Sequence, residues 1–398
     1  MVGPDHGATL YYTKIIKCYF KLRIAEVNYS IKEVIIINFL ERSLGVLFFI
    51  LVIAFIYRCS PVSACSRVLS AENGQAVIVG RNMDWMEDTG TGLWVLPRGI
   101  KRDGQAGNNS LTWTSKHASI VTAMYTDSGQ GTVFDGMNEK GMMANLLWLS
   151  QSDYGTRDEK RQGLLIAYWA QYMLDNYSTV NEAVQAIEKD EYQLVTLEFP
   201  SLGGKIMTAT LHLSLADQTG DSAIIEYIAG KPVIHHDRRY VVMTNDPTFE
   251  KQAENLKLYQ EFGGDKPIPG TNSALDRFVR ASYYMKLLPK PHNIREALAG
   301  VISVTRNISQ PFRTSVDPEN PFASTTIWRS TADLTNVCYY FESTNSPFLI
   351  WASLSDFNLK KGSPAMMLDL RKYPDHYGNV SKYFAEKDPS EIIYFSLQ

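Results

Sequence analysis

From residue 65 onward, apolar and polar positions change their period several times, and those changes mark the elements. Residues 66–82 hold two short apolar runs around Glu72-Asn73-Gly74, a turn signal that predicts a hairpin starting directly after Cys65. Further strand-like runs cover 118–124, 142–149, 208–215, 223–229, 240–243, 325–331, 337–343 and 348–354. Helical periodicity covers 163–176, 179–189, 249–262, 273–287 and 293–304. Strands, two helices, strands again, more helices and a final meander: that order resists a doubly wound parallel sheet. It predicts an α+β design of antiparallel sheets with helices on their outer faces. No internal repeat or linker interrupts 65–398, which reads as one domain.

The longest apolar run, 44–57 (LGVLFFILVIAFIY), follows Arg42 and is closed by Arg58. Its 14 residues suit the apolar region of an export signal better than a membrane span, which needs about 20. Pro61-Val62-Ser63-Ala64 then supplies the small residues of a signal-peptidase site, so Cys65 is expected to become the first residue of the mature chain. Residues 1–64 are read as an N-terminal extension and signal peptide that is removed, and the mature protein as periplasmic or secreted. The competing reading keeps 34–57 as an uncleaved anchor, the chain's sole membrane contact. Removal leaves 334 residues, enough for one large domain, with only two cysteines, Cys65 and Cys338, and so no disulfide framework. A net charge of −3 without a long basic run argues against a nucleic-acid partner.

Chemistry gathers around Cys65. At a new N-terminus this residue carries both a thiol and an α-amine of ordinary pKa about 7.7–8.0, a nucleophile joined to its own base. Arg81 and Asp84 follow by 16 and 19 residues, and a hairpin returns them beside Cys65. A cation near sulfur favours the thiolate, and a carboxylate can hold an α-ammonium. Asn245, ending the strand-like run 240–243 in Thr244-Asn245-Asp246-Pro247, offers an amide donor for a developing oxyanion. Asn272-Ser273 with Asp276 reads as a helix cap, which leaves Arg277 free to serve as a second cation. Trp85 and Trp148 stand next to these elements and are expected to line an apolar acyl pocket; Trp94 and Trp113 read as core. The seven histidines lack ligand spacing, His235-His236 reads as strand surface, and no phosphate loop or dinucleotide fingerprint occurs. No metal and no cofactor are expected.

Five motifs in order carry a resemblance across essentially all of 65–398: Cys65-Ser66-Arg67, Gly80-Arg81-Asn82-Met83-Asp84, the run from Asp135 through Gly141 (DGMNEKG), Thr244-Asn245-Asp246-Pro247, and Asp276-Arg277-Phe278-Val279-Arg280. The chain resembles the choloylglycine hydrolase family of bile salt hydrolases and penicillin V acylases, which are N-terminal-nucleophile hydrolases. The resemblance implies an αββα sandwich, hydrolysis of a linear amide in a small N-acyl substrate through a thioester, and a homotetramer such as is common in relatives. It gives Cys65 as nucleophile, Arg81 as the arginine beside sulfur, Asp84 as holder of the α-amine, Asn245 in the oxyanion hole and Arg277 in the catalytic set. A position that is Asn in typical bile salt hydrolases and Tyr in some penicillin V acylases falls on Trp148, where only a backbone N–H can serve the oxyanion. That departure weakens a straightforward bile-salt assignment, and Asp84-Trp85-Met86-Glu87-Asp88 looks more like the Gram-negative branch of the family, whose members include penicillin V and N-acyl homoserine lactone acylases. Three rivals remain: conjugated bile salt hydrolysis, a papain-like enzyme pairing Cys65 or Cys338 with a histidine, and a membrane-anchored binding protein without catalysis.

Overall fold

The predicted hairpin forms, and Asn73 builds its turn. Ser66–Ser70 pairs antiparallel with Ile78–Trp85, with Ser66 opposite Asn82 and Arg67 opposite Arg81. Asn73 Oδ1 accepts from the backbone N–H groups of Gln75 (2.9 Å) and Ala76 (3.1 Å), while its Nδ2 donates to Ser70 Oγ at 2.8 Å. Gly74 supplies the left-handed residue at φ +77°. The computed structural model describes residues 65–86, 90–125, 131–200, 206–313, 324–370, 372 and 375–389. All lie in the unit Pro61–Gln398; the export segment and its expected cut fall outside the described residues.

Two sheets organise the chain. The first runs, edge to edge, Val242–Thr244, Ser66–Ser70, Ile78–Trp85, Thr325–Asp333, Cys338–Ser343, Ile350–Ser353 and Gly378–Asn379, and is antiparallel except for its last pair. The second runs Lys231–His236, Ser222–Ile228, Leu211–Ala216, Met143–Trp148, Gly131–Asn138, Ser119–Tyr125, Thr91–Leu96, Ala365–Asp369 and Ala385–Lys387. Phe249–Leu256, Ala274–Leu287 and Ile294–Asn307 form the helical layer over the first sheet, and Trp169–Asn176 and Val180–Glu188 cover the second. This is an αββα sandwich.

Strand alternation builds its two cores. Leu93, Val95, Ile120, Met137, Met143 and Leu147 join Leu69, Val79, Met83, Trp328 and Phe341 of the first sheet in one buried cluster. Their neighbours Trp94, Leu96, Val121, Ala144 and Leu146 point the other way, into a core shared with Met173, Leu174, Val180 and Val184 of the helices. Each fully buried side chain of this size contributes about 1.5–3 kcal/mol. A Cβ on Gly80 would stand 2.6 Å from Thr305 Cγ2 and 2.7 Å from Val301 Cγ1, so glycine there lets the Ile294–Asn307 helix lie directly on the Ile78–Trp85 strand.

Some predicted bounds shift. The helix expected over 163–176 begins only at Trp169, because Gln162–Leu165 is a strand parallel to Tyr192–Val195. Leu164, Leu165 and Ile166 are buried on all sides, and such a run has no period to betray its state. The helix expected over 249–262 stops at Leu256, where Leu258 is 45 % exposed and has no face to bury. Of the two histidines read as strand surface, His236 is exposed on its edge strand and meets Asp221 at 2.8 Å, whereas His235 is partly buried, its Nε2 3.6 Å from Oε2 of buried Glu226. Cys338 lies on its predicted strand, partly buried, and burial pushes its thiol up to about 11.

Candidate active site

Register delivers the site. Cys65 immediately precedes the Ser66–Ser70 strand, so antiparallel pairing sets it across from Met83, with Asp84 one residue beyond. The buried sulfur Sγ lies 3.8 Å from Met83 Sδ and 3.9 Å from Arg81 Nη2, and donates to the Asp84 carbonyl at 3.6 Å. Arg81 and Asp84 are three residues apart on one strand, so their side chains leave opposite faces. Arg81 reaches the sulfur from between the sheets, and Asp84 lies on the helix side. The sequence placed both near Cys65; the structure does so from two directions.

On the helix side Arg277 ties the group together. It sits in the first turn of Ala274–Leu287, where Ser273 accepts the Asp276 N–H as the predicted cap. Arg277 Nη1 donates to the Cys65 carbonyl at 2.8 Å and lies 3.5 Å from Asp84 Oδ2; Nη2 donates to Asn245 Oδ1 at 3.4 Å. Asp84 Oδ1 accepts the Thr326 hydroxyl at 2.5 Å, from the residue opposite it in the neighbouring strand. Asn245 follows the edge strand Val242–Thr244, where Thr244 pairs with Ser66, so pairing carries it beside Cys65.

Asn245 also bridges to the second sheet, its Nδ2 donating to the Trp148 carbonyl at 2.8 Å. The Leu149 N–H bonds Thr210 on one side, so alternation turns the Trp148 N–H and C=O toward the other, where Asn245 stands. The Trp85 and Trp148 rings meet at 5.7 Å between centroids, tilted by 48°. All seven residues singled out from the sequence therefore lie in one contiguous site.

The electrostatics differ from the expectation in one respect. Burial pushes the Cys65 thiol up and outweighs the lowering by Arg81 and Arg277. The adjacent cation does not by itself yield a thiolate; the sulfur needs a base. Burial also raises the Asp84 carboxyl to about 6, against the pull of Arg277 and the Thr326 hydroxyl. Arg81, Asp84 and Arg277 are all fully buried, which requires each to be paired.

Sequence reasoning missed several supports. Gln252, a polar residue in helix Phe249–Leu256, is buried: its Nε2 donates to the Asn245 carbonyl at 2.6 Å and its Oε1 accepts the Thr244 hydroxyl at 2.7 Å. Thr326 was not singled out either. Asp135 stood in a quoted motif without a role; its carboxylate is 3.6 Å from Arg81 Nη1.

The αββα sandwich is the fold of the N-terminal-nucleophile hydrolases, and in it these residues gather around one buried cysteine. The model of the linear amide C–N hydrolases, choloylglycine hydrolase family, matches residues 65–370, and the chain belongs to that family. It is 42 % identical over 349 residues to a penicillin V acylase of Pectobacterium atrosepticum, covering 83 % of this chain and 92 % of that one. A penicillin V acylase structure from Agrobacterium tumefaciens superposes with a TM-score of 0.73 at 44 % identity, covering 84 % of this chain and all of that one. A bile salt hydrolase/transferase of Clostridium perfringens is 27 % identical over 52 % of this chain and 67 % of its own length. The chain is a hydrolase of linear amides.

Proposed function

We propose that the chain is a penicillin V acylase-like enzyme whose nucleophile is an N-terminal Cys65, exposed by export and cleavage after Ala64. The observation that carries this is the convergence of Arg81, Asp84, Asn245 and Arg277 on one buried cysteine. The α-amine of Cys65 takes the thiol proton as sulfur attacks the amide carbonyl. Asn245 and the backbone N–H of Trp148 receive the oxyanion, and Arg81 steadies charge at sulfur. The α-ammonium, held near Asp84, returns the proton to the leaving amine. Water, deprotonated by the same amine, then cleaves the thioester.

The apolar run 44–57 and the small residues before Cys65 support an exported enzyme, periplasmic or secreted, with residues 1–64 removed from a single catalytic domain. A homotetramer is the assembly we assign, checked by light scattering. The Trp85–Trp148 pair favours an aromatic or fatty acyl group, phenoxyacetyl or that of an N-acyl homoserine lactone, over a bile acid. N-terminal sequencing of exported protein is expected to read Cys65 first, and Cys65→Ala to abolish amide hydrolysis while the protein stays folded. Any other first residue in active material sinks the mechanism. Turnover of a bile-acid conjugate above that of a phenoxyacetyl amide would favour the bile-salt reading.

A further inference from the structure

Between the sheets lies a buried carboxylate that the mechanism above leaves idle. Asp135 stands mid-strand in Gly131–Asn138, fully buried, opposite Asn145 on one side and Thr122 on the other. Its Oδ2 accepts from Asn145 Nδ2 at 2.6 Å and from the Ser330 hydroxyl at 3.1 Å; its Oδ1 accepts from the Tyr339 hydroxyl. Tyr339 shares its oxygen with Thr122 Oγ1 at 2.7 Å. Both sheets thus contribute donors to one acid, and the cation it faces is Arg81.

Both terminal nitrogens of Arg81 are held. Nη1 donates to the Phe134 carbonyl at 3.2 Å beside Asp135, and Nη2 donates to the Leu146 carbonyl at 2.8 Å. The guanidinium carbon lies 4.9 Å from the centre of the Trp328 ring, and Nη2 is 3.2 Å from Met83 Sδ. The carbonyls come from the strands carrying Asp135 and Asn145. A guanidinium on a flexible stem has many resting places, and a rigid ionic partner reduces them to one.

We propose that Asp135 is a positioning residue for the reaction: anchored by Tyr339, Ser330 and Asn145, it fixes the Arg81 guanidinium so that Nη2 stays against the Cys65 sulfur. It acts through Arg81 and touches no reacting atom. The inference rests on Cys65 being the nucleophile.

The sign of one measurement separates this role from plain charge balance. Arg81, Asp84 and Arg277 are the charged groups facing the thiol. If Asp135 only neutralises Arg81, Asp135→Asn leaves that cation unopposed at the sulfur and the thiol becomes easier to ionise. If it positions Arg81, the freed guanidinium leaves the sulfur and the thiol becomes harder to ionise. Iodoacetamide alkylation of Cys65 across pH, read by peptide mass so that Cys338 is counted separately, reports this directly. We expect Asp135→Asn to slow alkylation at fixed pH and to lower kcat on the order of 100-fold with KM little changed. Arg81→Ala is expected to slow alkylation likewise, and the double variant to slow it no further, because both act through one contact.

Faster alkylation in Asp135→Asn, an unchanged kcat, or additive losses in the double variant would overturn the assignment. Should Asp135→Asn not fold, Tyr339→Phe carries the test: a severalfold slower alkylation supports the role, and an unchanged rate overturns it. Alkylation needs no turnover, so it reads the Arg81 contact even if the wild-type protein hydrolyses no amide. That last result would refute the proposed function instead.

Discussion

Arg277 donates its Nη1 to the carbonyl oxygen of Cys65 at 2.8 Å, fixing that backbone from a helix 212 residues away in sequence. The same atom is 3.5 Å from Asp84 Oδ2, and both side chains are fully buried. Removing one partner of such a pair strands the other charge. Arg277→Ala is expected to cost about 3–5 kcal/mol of stability and most of kcat. Arg277→Lys keeps the charge but lacks the fork that reaches Cys65 and Asn245 together, so it should recover melting temperature without recovering kcat. A lysine variant with wild-type kcat would show that charge alone suffices.

Asp84 makes stability depend on pH with a definite sign. Burial raises its carboxyl from an ordinary 3.8 to about 6, so the folded protein holds this proton more tightly than the unfolded chain. The stabilisation is complete below the unfolded value and disappears as pH rises through about 6. At about 1.4 kcal/mol per unit, the loss across that window is on the order of 3 kcal/mol. Denaturant titrations from pH ~4 to ~6 should therefore show the wild type weakening and Asp84→Asn changing less. Activity should run the opposite way, kcat/KM rising with pH as Asp84 ionises to hold the α-ammonium, at a lower pH than in the uncleaved chain because the ammonium stabilises the carboxylate. Equal pH slopes in the two proteins would acquit this carboxyl.

Asn245, the proposed oxyanion donor, stands on a buried post. Gln252 binds the Asn245 carbonyl and the Thr244 hydroxyl, and also donates to the Pro247 carbonyl at 2.5 Å. Asn245→Ala should lower kcat by about 10²–10³-fold at nearly constant KM. Gln252→Leu leaves Asn245 chemically intact but strips the loop's buried bonds, at about 1–3 kcal/mol for each group left unpaired. Its kcat should fall by less than that of Asn245→Ala, with a lower melting temperature. A Gln252→Leu enzyme with unchanged kcat would mean that the Arg277 and Trp148 contacts hold Asn245 unaided.

What could be read in the sequence follows from how local each signal is. The Glu72-Asn73-Gly74 turn fixes the hairpin, and the hairpin carries Arg81 and Asp84 to Cys65 by pairing alone. Thr91–Leu96 escaped because both its faces are buried, Leu93 and Val95 in one core and Trp94 and Leu96 in the other, so it shows no alternation. Asp135 escaped because the groups that close around it, Arg81 and Tyr339, lie far off in sequence. Gln252 escaped because only the packing of its helix on the Asn245 loop buries this polar side chain. The thiol's upward shift is likewise a matter of burial, which no spacing reveals.

On the proposed mechanism, Trp148 separates substrate preference from catalysis in one residue. Its carbonyl accepts from Asn245, and its indole packs at 5.7 Å against Trp85. Substituting the side chain leaves the backbone contact in place, so Trp148→Ala should raise KM while sparing kcat. A tilted aromatic contact is worth about 0.5–1.5 kcal/mol beyond its buried area, so KM for a phenoxyacetyl amide should rise up to about tenfold. A short aliphatic acyl amide, which has no ring to stack, should lose much less. Trp85→Ala should produce the same pattern, and the double variant should lose less than the two single changes combined, because the rings support each other. Equal KM increases for aromatic and aliphatic substrates would show instead that the indoles shape the backbone of the site, and the acyl specificity would have to come from elsewhere.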